Sequence, residues 1–209
     1  MEYTHIVFDL DGTLIDTEAA ILKTWQYTLK PYNLSYSLES LQTVLGISNY
    51  DACKRLEAPV DDSFERNWIQ NYSKFSDEAA FFPGIENMLY CIKKSRLNLG
   101  IVTSRKRTEY ERYFKQFKLE KLFSQIVCSD YTSKHKPSPE PLLYYIKKSQ
   151  ADPASCMYIG DMVSDVECAN AAGFSSGLVT WNHSSIINCD ADYIFSKPAD
   201  LLKILGIPN

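Results

Sequence analysis

The chain alternates short apolar runs with stretches in which apolar residues recur at helical spacing. The apolar runs predict buried strands at residues 6–9, 99–103, 125–128, 156–160 and 176–180. Helical spacing predicts helices at residues 84–95, 108–118, 139–150 and 164–172. Strands that alternate with helices need crossover connections. The pattern therefore predicts an α/β fold, a Rossmann-like parallel sheet flanked by helices.

One predicted helix has a capping sequence at its start. The letters TEYE at residues 108–111 match a capping box, in which a threonine side chain and a glutamate three positions later satisfy the first backbone amides of a helix. We therefore expect this helix to begin at Thr108.

The region from residue 17 to residue 82 breaks the alternation. It offers four helix-like segments rich in Trp, Tyr, Leu and Lys, and it has no convincing strand. Pro83 suits a first helical turn and Gly84 permits a sharp change of direction, so the letters FFPG mark the return to the alternating pattern. We predict an inserted all-helical cap domain at 17–82 and a discontinuous catalytic core at 1–16 and 83–209.

Composition narrows the class of protein. The 209 residues can bury a substantial core, and a net charge of −4 gives no general attraction for nucleic acid. No apolar run approaches the 18 residues typical of a membrane span. The six cysteines form no C-x-x-C pair, which favours free thiols over a disulfide framework or a zinc site. We expect a cytoplasmic protein, a monomer or a homodimer, that binds neither nucleic acid nor a membrane.

Polar residues follow four of the predicted strands directly or in the next loop. They are Asp9 and Asp11, then Thr103 and Ser104, then Lys136, and finally Asp161 and Asp165. Because the carboxyl ends of parallel strands share one edge of the sheet, these side chains are expected to converge on a ligand crevice.

Several acids in one crevice need a physical explanation. Two carboxylates about 4 Å apart repel by roughly 4 kcal/mol at an effective dielectric constant near 20. Either some of them are protonated or a cation lies among them. Oxygen ligands without an adjacent His or Cys favour a hard ion such as Mg²⁺, while Thr103 and Lys136 supply a donor and a positive charge for an anion. The set has the composition of a phosphoryl-transfer site.

Four motifs carry a resemblance that spans nearly the whole chain. FDLDGTLIDT, IVTSR, KPSPEP and IGDMVSDVECANAAG, in this order, resemble the signature motifs of the haloacid dehalogenase superfamily, in its phosphatase branch with a helical cap. The resemblance implies that Asp9 is the nucleophile that forms an aspartyl-phosphate, and that Asp11 is the general acid and base. It also implies that Thr103, Ser104 and Lys136 bind the phosphoryl group.

The same resemblance implies a Mg²⁺ site. Asp161 would coordinate the ion together with the carboxylate of Asp9 and the backbone carbonyl of Asp11. Asp165 would orient metal-bound water or Lys136 from behind, and Thr13 would help to hold the turn.

The implied activity is Mg²⁺-dependent hydrolysis of a small phosphorylated metabolite, with 2-phosphoglycolate as the model substrate. Inorganic pyrophosphatase and β-phosphoglucomutase-type phosphotransfer remain alternatives. The letters LGISNYDAC at 45–53 are similar to the cap loop of sugar-phosphate mutases, but those enzymes usually carry an arginine where Asn49 stands and a histidine near Ile21.

Haloalkanoate dehalogenases usually lack the second acid, so Asp11 argues against that activity. A phosphorylation-switch receiver domain is only about half as long, and its phosphorylated aspartate follows a middle strand.

Three cations, Arg105, Lys106 and Arg107, precede the predicted helix start at Thr108. The sequence leaves open whether they form a solvated loop or hold substrate at the active edge.

Overall fold

The computed structural model of the protein describes residues 3–47, 49–182 and 189–208. The strands are β1 His5–Phe8, β2 Ile15–Asp16, β3 Ala80–Phe81, β4 Asn98–Val102, β5 Gln125–Val127, β6 Cys156–Gly160, β7 Ser175–Val179 and β8 Tyr193–Phe195. The α-helices are α1 Glu18–Leu29, α2 Leu38–Leu41, α3 Asn49–Arg55, α4 Asp62–Tyr72, α5 Ile85–Lys94, α6 Arg107–Glu109, α7 Glu140–Ser149, α8 Val163–Ala172 and α9 Pro198–Ile204. A π-helical turn, Tyr110–Phe114, follows α6 directly.

A six-stranded parallel sheet organises the fold, in the order β5-β4-β1-β6-β7-β8. The predicted α/β class is confirmed, and the five predicted strands correspond to β1, β4, β5, β6 and β7. The chain moves outward from β1 through β4 to β5, then crosses back to β6 and continues outward on the other side. The strand order therefore reverses at β1, which is where ligands bind in open α/β sheets.

Helices cover both faces of this sheet. On one face, α7 and α8 pack over Val7, Val102 and Tyr158 in a fully buried cluster. Helix α5 contacts β4, helix α9 contacts β8, and the two helices contact each other. Strands covered on both faces read as near-continuous apolar runs, which is why the sequence pattern located most of them.

The predicted helix at residues 108–118 is present, but it changes from α6 to the π-helical turn and then to a 3₁₀ turn at Lys115–Phe117, and its predicted start is wrong. The helix α6 begins at Arg107, and the carboxylate of Glu109 accepts a hydrogen bond from the backbone N–H of Lys106 at 3.0 Å. Glu111, the expected partner of Thr108, instead pairs with Arg107 at 2.6 Å. The start moves because Glu109, two residues before Glu111, accepts the hydrogen bond from the free backbone N–H of Lys106.

The chain divides into two compact units, Met1–Ile15 with Phe81–Asn209, and Asp16–Ala80. These boundaries lie one or two residues from those read from the sequence. In the first unit the backbone N–H of Phe82 donates to the carbonyl of Leu14 at 3.2 Å. The chain therefore leaves and re-enters this unit at neighbouring points, just beyond the turn that carries Asp11.

The second unit contains α1 to α4 and has an aromatic core of its own. The Trp25 ring lies 6.0 Å from Phe64 and 5.6 Å from Trp68, measured between ring centroids. Asp61 caps α4 by accepting hydrogen bonds from the backbone amides of Ser63 and Phe64, both at 2.8 Å. Within the described parts of the chain, none of the helices has the length and apolar character that a membrane crossing requires.

Gly100 in β4 gives a test of the packing. A Cβ at this position would lie 2.3 Å from the ring of Tyr145, a buried side chain of α7. Since overpacking a core costs about 1–3 kcal/mol, we expect Gly100→Ala to lower the free energy of unfolding by that amount in a denaturant titration. Asn98→Ala, at the exposed start of the same strand, is the control and should change it by less than about 0.5 kcal/mol. Equal stability of the two variants would show that Tyr145 does not fill this space.

Candidate active site

The candidate site lies at the carboxyl edge of the sheet, where three neighbouring strands end. Asp9 follows β1, Thr103 follows β4 and Asp161 follows β6. The backbone N–H of Asp9 donates to the carbonyl of Ile159 at 2.8 Å, and that of Thr103 donates to Val127 at 3.0 Å. The sheet ladder therefore fixes the backbone from which these side chains project.

The turn after Asp9 requires a glycine. Gly12 has a φ of +75°, and a Cβ at this position would lie 2.3 Å from an oxygen of Asp161. The backbone N–H of Gly12 donates to the carbonyl of Ile15 at 2.9 Å, which closes the turn. Only a residue without a side chain lets the turn approach Asp161 this closely.

Lys136 lies at the centre of the site, and its side chain is only 8% exposed. Its Nζ donates hydrogen bonds to Asp9 at 2.8 Å, to Asp165 at 2.6 Å and to the hydroxyl of Tyr158 at 3.2 Å. Tyr158 is fully buried, and its hydroxyl donates to the carbonyl of Val102 at 2.9 Å. The ammonium group thus has acceptors in three directions, which fixes its position in the site.

Asp161 is held from two sides by neutral donors. The hydroxyl of Thr13 donates to one of its oxygens at 3.2 Å, and the side-chain amide of Asn182 donates to the other at 3.0 Å. The indole N–H of Trp181 donates to the carbonyl of Thr13 at 2.9 Å. The segment that follows β7 therefore fixes both Asp161 and the turn that faces it.

Burial and mutual repulsion disfavour the charged forms of these acids. Burial, the largest effect, raises the pKa of Asp9 to about 7 against the opposing attraction of Lys136. Burial, followed by the nearby Asp165 and Asp9 carboxylates, raises the pKa of Asp161 well above its usual value. Burial alone would lower the pKa of Lys136, but the charges of Asp165 and Asp9 outweigh it and raise that pKa well above the usual range. The lysine therefore stays charged.

The donor set fits a hard divalent cation. One carboxylate oxygen each from Asp9, Asp161 and Asp165 lies within 4.8 Å of the other two. Among the described residues, Lys136 is the ammonium group that contacts two of these acids, so with all three ionised the four side chains would carry an excess of negative charge that a bound cation could offset. Clustered carboxylate oxygens with uncompensated charge are the ligands that Mg²⁺ prefers.

The Asp11 side chain pairs with a residue that the sequence left ambiguous. The guanidinium of Arg105 donates to both Asp11 oxygens, at 3.0 Å from Nε and 2.8 Å from Nη2. Its remaining nitrogen, Nη1, donates to Glu109 at 3.2 Å. Arg105 is only 8% exposed, so of the two roles that the sequence left open, a solvated loop does not apply at this position. Lys106 and Arg107 are exposed.

The structure brings most of the predicted site residues together. Asp9, Lys136 and Asp165 are in direct contact, Asp161 lies beside them, and Thr13 is hydrogen-bonded to Asp161. Thr103 is buried, and its hydroxyl accepts a hydrogen bond from the backbone N–H of Arg105 at 3.2 Å. Ser104 is exposed, as an ordinary surface serine would be.

Sequence reasoning missed Tyr158, Trp181 and Asn182, and it left the role of Arg105 open. One signal could have found Asn182, because it is a polar residue just after a predicted parallel strand, as Asp9 and Asp161 are. Tyr158 lies inside an apolar run that predicts a buried strand. The signal there is its hydroxyl, because a buried hydroxyl needs a hydrogen-bond partner.

Comparison with known families agrees with the geometry. The family model described as haloacid dehalogenase-like hydrolase matches residues 6–179, most of the chain and every candidate site residue except Trp181 and Asn182. The chain belongs to the haloacid dehalogenase-like hydrolase family. The resemblance of its four motifs is therefore confirmed, and the protein is an enzyme of the hydrolase class.

Individual relatives cover the chain end to end. The pyrophosphatase PpaX of Bacillus pumilus is 30% identical over 96% of this chain and 95% of its own length. PpaX of Oceanobacillus iheyensis is 28% identical over 99% of this chain and 98% of its own. Among solved structures, a candidate phosphoglycolate phosphatase of Lactobacillus plantarum superposes with a TM-score of 0.90 at 29% identity, covering 98% of this chain and 100% of its own.

A divalent cation should stabilise this hydrolase, because it would offset the repulsion among the three acids. A ligand that binds only the folded state adds RT ln(1 + [L]/Kd), about 2.7 kcal/mol at a hundred times Kd. We expect Mg²⁺ to raise the thermal midpoint of the parent protein and to have little effect on Asp161→Asn.

Asp77→Asn is the matched control, since Asp77 is an exposed acid in the second unit. It should respond to Mg²⁺ as the parent does. An unchanged parent midpoint at millimolar Mg²⁺, or an equal rise in Asp161→Asn, would argue against a metal site at Asp161.

Proposed function

We propose that the protein is a Mg²⁺-dependent phosphatase that hydrolyses a small phosphate monoester through an aspartyl-phosphate intermediate. The observation that carries this proposal is the contact of Lys136 with both Asp9 and Asp165 at the strand-order reversal, beside Asp161. A nucleophile, an anion-binding cation and a set of metal ligands in one crevice are the parts that phosphoryl transfer needs.

In this proposal the Asp9 carboxylate attacks phosphorus. A covalent intermediate splits one difficult displacement into two easier ones. The ammonium group of Lys136, with the hydroxyls of Thr103 and Ser104, binds the phosphoryl oxygens and offsets their charge in the transition state. Asp11 protonates the leaving oxygen and later takes a proton from the attacking water.

Asp9, Asp161 and the backbone carbonyl of Asp11 would hold Mg²⁺, with Asp165 and Thr13 fixing the orientation of these groups. The ion would supply positive charge against the phosphoryl oxygens. Support for this assignment comes from the clustering of the three carboxylates and from the hydrogen bond that Thr13 donates to Asp161.

Two substrates stand out from the relatives. The similarity to the Lactobacillus plantarum structure favours 2-phosphoglycolate, and the relatives named PpaX make inorganic pyrophosphate the second candidate. Phosphotransfer of the β-phosphoglucomutase type is less favoured, since Asn49 stands where mutases usually carry an arginine. We place the reaction in the cytoplasm.

The inserted unit, Asp16–Ala80, is proposed to act as a cap that excludes water and selects the substrate. In support, the chain leaves and re-enters the first unit just beyond the turn of Asp11, where Leu14 and Phe82 are joined by a hydrogen bond.

The test is the initial rate of phosphate release with Mg²⁺ on a panel of 2-phosphoglycolate, pyrophosphate, hexose phosphates and nucleoside monophosphates. We expect one substrate to reach a kcat/KM of at least about 10⁴ M⁻¹s⁻¹. Asp9→Asn should remain folded and lose at least about 1,000-fold in kcat, because the amide oxygen is a poor nucleophile.

Retained turnover in Asp9→Asn would contradict the covalent mechanism. Weak and even rates across the panel would support the chemistry and argue against a cap that selects one metabolite. The exposed-site variant Asp77→Asn should match the parent on every substrate.

A further inference from the structure

Arg105 lies between two acids that come from different parts of the first unit. Asp11 belongs to the turn after β1, and Glu109 belongs to the short helix after β4. The guanidinium donates two hydrogen bonds to Asp11, at 3.0 and 2.8 Å, and one to Glu109 at 3.2 Å. A planar fork that meets both oxygens of a carboxylate fixes the plane of that carboxylate as well as its position.

The guanidinium itself is held in place by its surroundings. The backbone N–H of Arg105 donates to the hydroxyl of Thr103, and the guanidinium carbon lies 5.5 Å from the centre of the Phe114 ring. Glu109 is buried, and its second oxygen accepts from the backbone N–H of Lys106 at 3.0 Å. Thr103, Arg105 and Glu109 all lie between β4 and the π-helical turn, so this one segment holds the guanidinium that faces Asp11. We call Arg105, with its hydrogen bonds to Asp11 and Glu109, the clamp.

We infer that Arg105 is a positioning residue for proton transfer by Asp11, an inference that rests on the proposed phosphatase function. In the first step an Asp9 oxygen bonds to phosphorus while the bond from phosphorus to the ester oxygen breaks, and the proton of the Asp11 carboxyl goes to that ester oxygen. Water then bonds to phosphorus, its proton goes to Asp11, and the bond to Asp9 breaks to release inorganic phosphate. The fork uses one lone pair on each Asp11 oxygen, so each oxygen keeps a second lone pair that can carry or accept the transferred proton. By fixing the plane of the carboxyl group, Arg105 sets the direction of that second lone pair.

The position of the clamp distinguishes this role from that of a simple surface ion pair. Arg107, two residues further on, also pairs with an acid, Glu111, but both side chains are about half exposed, at 46% and 54%. The Arg105 side chain is 10% exposed and that of Asp11 is 23% exposed, so their pair is partly shielded from water. Such a pair orients a side chain more strictly than an exposed one does.

The leaving group provides the readout. An alkyl phosphate departs as a poor anion and needs a proton, whereas p-nitrophenyl phosphate departs as a stable anion and does not. We expect Arg105→Met to lower kcat on 2-phosphoglycolate, or on the best alkyl phosphate of the panel, by at least about 100-fold. On p-nitrophenyl phosphate the loss should stay below about tenfold, with KM within about threefold of the parent value on both esters.

Four further variants complete the design, among them Asp11→Asn alone and combined with Arg105→Met. Arg105→Lys keeps the charge but cannot form the fork, so it should show the same selective loss to a smaller degree, and it carries the test if Arg105→Met does not fold. Arg107→Met is the matched control and should retain the parent rates on both esters. In the Asp11→Asn background, Arg105→Met should lower kcat by less than about threefold more, because a residue that acts through Asp11 has nothing left to orient.

Equal losses on the two esters, or losses that multiply with those of Asp11→Asn, would overturn the positioning role and leave Arg105 as a structural ion pair. A parent enzyme that releases phosphate from neither ester would instead overturn the proposed phosphatase function, and this inference with it. Activity of the parent on both esters separates the two cases.

Discussion

The structure depends on one electrostatic arrangement, the burial of acidic side chains around the ammonium group of Lys136. Removing a charge from water costs several kcal/mol unless a partner compensates it. Lys136 compensates Asp9 and Asp165 directly, and Tyr158 completes its hydrogen bonds. This arrangement requires β1 to lie beside β6, because only then do Asp9 and Asp161 leave the sheet side by side. The strand order that places β1 beside β6 therefore also brings the acids of the site together.

Much of this could be predicted from the sequence. Strands buried on both faces are apolar throughout, so β1, β4 and β6 stand out as runs, and the residues that end them lie at one edge by the geometry of a parallel sheet. The strand β8, Tyr193–Phe195, is as short as β5 but was missed, because Ile194 at its centre is exposed and the strand is not buried on both faces. The alternation of strands and helices along the chain therefore predicts which polar residues lie close together at the carboxyl edge of the sheet.

The pairing of Arg105 with Asp11 could not be read in this way. Three consecutive basic residues are typical of a solvated loop, and nothing in their order says which of them turns inward. The start of the helix decides it. Because α6 begins at Arg107, Glu109 lies in its first turn and faces back toward Arg105. A shift of one residue in a helix start changes which side chains meet, and helix boundaries are the least certain part of a sequence-based assignment.

The insertion of a whole helical unit between β1 and β4 also sets an order of events during synthesis. The strand β1 is made first, yet both of its neighbours in the sheet come from beyond the inserted unit. Residues 16–80, with an aromatic core of their own, leave the ribosome before any partner of β1 exists. Segments rich in local contacts form quickly, whereas parallel pairing waits for distant chain. The N-terminal strand, which carries the candidate nucleophile at its end, is therefore an apolar segment that stays unpaired until β4 has been made.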